Sequence, residues 1–79
     1  MKLYLLKQIE TRGYDTFDSC VVAAASREDA AKLHPRENTP KPEWHWTWAS
    51  SPANVEVMYL GEAAFGTAPG VILASFNAG

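Results

Sequence analysis

The sequence predicts a small α+β fold: a mostly antiparallel four-stranded sheet with one short helix, ordered β-β-α-β-β, and a proline- and tryptophan-rich loop after the helix. Three observations predict it. Four segments rich in strand-forming residues are separated by turn residues. Between the second and third lies a serine-capped run stopped by a proline. Residues 35–43 then hold three prolines and no large apolar side chain.

Each element follows from its residues. Residues 2–9, Lys-Leu-Tyr-Leu-Leu-Lys-Gln-Ile, suit a buried strand. Glu10-Thr11-Arg12-Gly13 reads as a turn, with Gly13 free to take positive φ. Residues 14–24 read as a second strand, alternating polar and aromatic at first and apolar at the end, and pair antiparallel with the first. Ser26 can cap the amide of Asp29, and Glu28 and Asp29 suit the positive end of a helix. The helix runs from Arg27 to His34, roughly two turns, and Pro35 stops it. Ala30, Ala31 and Leu33 or His34 would face the sheet. Residues 35–43 form an exposed loop, and residues 49–54 another turn-rich stretch. Val55–Leu60 reads as the third strand and Val71–Phe76 as the fourth. The segment between them, with Gly61, Gly66, Pro69 and Gly70, reads as a hairpin connection.

The densest chemical feature is Glu43-Trp44-His45-Trp46-Thr47-Trp48, which holds all three tryptophans. If this run is extended, the three rings share one face while His45 and Thr47 take the other. Such a stripe can close over a small core, anchor a protein partner or stack on a flat ligand. Tyr14 and Phe17 would extend the aromatic surface if the loop folds back on the second strand. The candidate partner-binding set is therefore Trp44, His45, Trp46 and Trp48 with Tyr14 and Phe17. The run lies between two turn-rich connections, so at least one of its indoles is expected at the surface of the monomer.

Composition narrows the function classes. Seventy-nine residues fit a single domain, 1–79, with a modest core. Hydrophobic content of 47% and charged content of 20% suit a globular chain. Nine acids against seven bases give a net charge of −2, which argues against nucleic acid as a direct ligand. The early run Leu3-Tyr4-Leu5-Leu6 is too short for a signal-peptide core or a membrane span. The lone cysteine, Cys20, suits a reducing cytoplasm and reads as an inert core thiol. His34, His45 and Cys20 have no metal-site spacing, and Asp15 and Asp18 would face opposite sides of a strand. The segment 66–70 lacks the lysine of a phosphate loop. No catalytic residue, metal site or cofactor is expected.

The stretch Gly13-Tyr14-Asp15-Thr16-Phe17-Asp18-Ser19, then Val21-Val22-Ala23-Ala24 and the capped helix through His34-Pro35, resembles small proteins encoded in bacteriophage and prophage genomes. The ending, Gly70-Val71-Ile72-Leu73-Ala74-Ser75-Phe76-Asn77-Ala78-Gly79, is similar to theirs, so the resemblance covers about two thirds of the chain. It implies a mobile-element protein acting in a bacterial cytoplasm, and it transfers no functional residue. Small acidic phage proteins often block a host protein, including CRISPR and other defence machinery. The expectation is a non-enzymatic protein that binds and inhibits or modulates a host protein. Two alternatives stay open. One is a ligand-binding domain or enzyme with a pocket beside the Trp loop. The other is a homo-oligomeric structural or assembly protein.

Overall fold

The apolar run that opens the chain becomes β1 (Lys2–Gln8), and the second becomes β2 (Thr16–Ala24). A computed structural model describes residues 1–10, 16–36 and 47–77. The expected turn around Gly13, with Tyr14 and Asp15, lies outside these residues, as do Trp44, His45 and Trp46. After β2 come α1 (Arg27–Ala31), a 3-10 turn (Pro52–Asn54), β3 (Val55–Glu62) and β4 (Gly70–Asn77).

The four strands form one antiparallel sheet in the spatial order β3-β1-β2-β4. β1 and β2 pair as neighbours, Leu6 opposite Cys20 and Tyr4 opposite Val22. β3 and β4 do not pair. They occupy opposite edges, so the expected hairpin between them is corrected to a crossover. Residues 63–69 pass the ends of β1 and β2, roughly 14 Å at three strand spacings. Ala63 N–H donates to the Met1 carbonyl as the chain crosses. A turn follows, in which Ala64 accepts from the Thr67 amide and hydroxyl. Gly66 takes φ +86° there, the region its position in such a turn requires.

The helix starts as expected and stops early. Ser26 Oγ accepts from Asp29 N–H at 3.2 Å. Helical residues end at Ala31, three short of His34. The reason is competition at the C-terminal end. Pro35 disfavours helical backbone at His34, and the His34 ring is drawn into the core at 3% exposure. Its Nδ1 accepts Arg36 N–H at 2.9 Å, so Nε2 carries the proton and donates to Thr47 Oγ1 at 3.1 Å. Arg27 ties the helix to β3 by donating to the Val57 carbonyl.

The core lies between α1 and one face of the sheet. It contains Tyr4 and Leu6 of β1, Phe17, Cys20, Val22 and Ala24 of β2, Ala30, Trp48, Ala49 and Val55. Among the described residues, the largest fully buried side chains are Trp48, Leu6 and Val22, a small core. The 3-10 turn is pinned by Glu10, whose carboxylate accepts from Ser50 N–H and Asn54 Nδ2, both at 2.9 Å. No helix among the described residues is long and apolar enough to cross a membrane.

Candidate functional site

Of the six residues expected to meet a partner, two are described, and both lie in the core. Trp48 is 1% exposed, with the His34 ring edge-on at 6.4 Å. Its Nε1–H finds no hydrogen-bond partner among the described residues. Phe17 is 6% exposed, 4.7 Å from the Phe76 ring and 5.9 Å from His34. The Arg36 guanidinium lies 5.6 Å above Phe17, closing this aromatic corner from the solvent side. Trp48 and Phe17 therefore lie in the core rather than on a partner-facing surface of the monomer. Two causes act. Thr47 is helical, so the step from it to Trp48 is not that of an extended strand. A small core also needs large rings to fill it. Tyr14, Trp44, His45 and Trp46 lie outside the described residues.

The opposite face of the sheet carries a surface that no single stretch of sequence spells out. Strand alternation turns Leu3, Leu5 and Lys7 of β1 away from α1, since Tyr4 and Leu6 point into the core. Register then defines three rows across the sheet. One row is Glu56–Lys7–Ser19–Ser75. The next is Met58–Leu5–Val21–Leu73, with no polar side chain. The third is Gly61–Leu3–Ala23–Gly70. Register shifts leave Leu60 of β3 and Ile72 of β4 unmatched beside this third row. Met58, Leu60, Ile72 and Leu73 are 57%, 49%, 54% and 69% exposed.

Between β1, β2 and β4 the face dips into a shallow hollow of about 240 Å³, bordered by Leu5, Ser19, Val21, Leu73 and Ser75. Two serines and aliphatic side chains provide contact area and no acid-base pair. Among the described residues, no group of three or more His, Cys, Asp or Glu is placed to hold a metal. Cys20 lies under the hollow as a free, buried thiol, and burial pushes its pKa from 9.0 up to about 12. It is protonated at neutral pH and a poor nucleophile.

The sequence did contain the signal for this face. Leu3-Tyr4-Leu5-Leu6, Cys20-Val21-Val22-Ala23-Ala24 and Val71-Ile72-Leu73-Ala74 are continuous apolar runs. In a strand such a run is apolar on both faces, whereas a sheet with one wet face alternates. Set against known protein families, curated proteins and solved structures, the chain finds no match in any of the three. Its function is therefore read from its own geometry.

Proposed function

We propose that this chain is a non-enzymatic protein-binding module whose docking surface is the open face of its sheet. One observation carries the reading: the row Met58–Leu5–Val21–Leu73 crosses all four strands without a polar side chain, and its two outer residues are more than half exposed. Extended apolar patches on small proteins mark contact surfaces. Serines and one Lys–Glu pair border the row on one side, as a polar rim borders an interface.

The wider reading draws on the sequence resemblance. It makes the chain a phage-type protein of the bacterial cytoplasm that inhibits or modulates a host protein, with a CRISPR component or another defence factor as the type of target. Trp44, His45, Trp46 and Tyr14 remain candidate anchors for that target from the sequence alone.

Site-specific photo-crosslinking in living cells tests the docking surface. A crosslinking amino acid replaces Met58 or Leu73 on the open face, or Lys32 on the exposed side of the helix end. The expected result is discrete protein adducts from positions 58 and 73 and none from 32. Equal yields from all three positions would overturn the reading.

A further inference from the structure

We infer that the occupant of the open face is a second copy of this chain, packed sheet to sheet about a two-fold axis parallel to the strands. This rests on the docking-surface reading above and names the partner of that same face.

The argument comes from the lateral pattern of the rows. A two-fold axis along the strands keeps each row at its own height and reverses its order. The row Glu56–Lys7–Ser19–Ser75 then faces Ser75–Ser19–Lys7–Glu56 of the other copy. Each charge meets a serine, and no like charges are opposed. The apolar row faces itself, Met58 over Leu73 and Leu5 over Val21. An axis across the strands would instead set Lys7 and Glu56 over Leu3 and Gly61, burying charge against apolar surface. The face is thus its own complement in one orientation, which is what an isologous contact requires. Aligned sheet packing, with strands within about 30°, accommodates that orientation.

Size agrees. Met58, Leu60, Ile72 and Leu73, with the partly covered Leu3, Leu5 and Val21, present on the order of 500 Å² of apolar surface. With a polar rim added, that approaches the roughly 800 Å² each partner contributes to a standard interface. The pairing would also give a small chain a second core layer, sheet against sheet. The helix-side layer would stay outermost on both sides of the sandwich.

Sedimentation equilibrium and light scattering on the full chain test this. The expected mass is twice 8.7 kDa, falling to the monomer on dilution. In the inferred orientation Ser75 faces Glu56 of the other copy. Ser75→Lys should therefore tighten dimerisation severalfold at low salt, and Ser75→Glu should loosen it by a similar factor. Both effects should shrink as salt screens them. Leu73→Asp should give a monomer with an unchanged circular dichroism spectrum. If that variant fails to fold, the two exposed Ser75 variants still decide the matter.

A wild-type monomer at millimolar concentration overturns the inference. So does a dimer on which Ser75→Lys and Ser75→Glu act alike, because edge pairing through β4 or the crossed two-fold would give that result. A monomer that binds anionic phospholipid vesicles through this face overturns it as well. If adducts from positions 58 and 73 contain only another protein, the second copy is wrong while the docking surface stands. If those positions give no adducts and the chain is monomeric, both fail.

Discussion

Cys20 sits in β2 between Leu6 on one neighbouring strand and Ala74 on the other, at 2% exposure. Its raised pKa has a consequence for stability. Above pH 9.0 the unfolded chain releases the thiol proton while the folded chain holds it until about 12. The unfolded state then binds fewer protons, so stability falls as pH rises through that window, by at most about 1.4 kcal/mol per pH unit. Tyr59 works in the same direction above its ordinary 10.0, because its hydroxyl donates to Glu62 and burial and the Glu62 charge oppose ionisation. Urea midpoints followed from about pH 8 to 10 should decline in wild type and flatten in Cys20→Ala. An equal decline in both would remove Cys20 as the cause. His34 is the residue whose role was least legible. At the end of the helical pattern it reads as an alternative to Leu33 on the sheet-facing side, and the fold shows both its ring nitrogens engaged. Replacing it with alanine opens a cavity and strands the Arg36 amide, at about 2–4 kcal/mol. His34→Phe keeps the ring but loses both bonds, at about 1–3 kcal/mol. Denaturation of the two variants checks that order.

At the scale of elements, local signals located the strands and the β1–β2 pair, and not the neighbours of β3 and β4. The cap on α1 was readable because it is written within four residues, Ser26 to Asp29. Ser26→Ala should cost about 1 kcal/mol, seen as a lower urea midpoint; an unchanged midpoint would show that packing alone holds the helix. The end of α1 was misread because a tertiary contact, the burial of His34, outweighs helix propensity in the last turn. The β3–β4 connection was misread for a similar reason. Gly66, Pro69 and Gly70 specify turning, which a hairpin and a crossover both need, and they carry nothing about the destination. What decides the destination is which strands are free to pair once β1 and β2 have joined. β3 takes the outer edge of β1 and β4 that of β2, completing hydrogen bonding on both central strands. The Trp segment is dense within one short window of sequence, whereas the apolar face is spread over four strands, two residues at a time, where no motif window collects it.

For the whole molecule, the two faces of one sheet make opposite predictions for the same change. Leu6 is fully buried against α1, and Leu73 is 69% exposed on the far side. Leu6→Ala leaves a cavity and should cost about 2–5 kcal/mol. Trp48→Ala, in the same layer, should cost about 3–5 kcal/mol. It also removes a buried indole N–H without a described partner, which offsets part of that loss. A domain of this size has roughly 5 kcal/mol in total, so either change leaves little folded protein at 37 °C. Leu73→Ala should shift monomer stability by no more than about 0.5 kcal/mol, as for an ordinary surface site. Its effect should appear only when chains meet. The wild-type melting temperature should rise with protein concentration, because association favours the folded state, and that slope should flatten in Leu73→Ala. Thermal melts at dilute and concentrated protein, with urea titrations at the dilute limit, separate the two contributions. If Leu73→Ala instead lowers dilute-limit stability as much as Leu6→Ala does, the far face belongs to the monomer's own core.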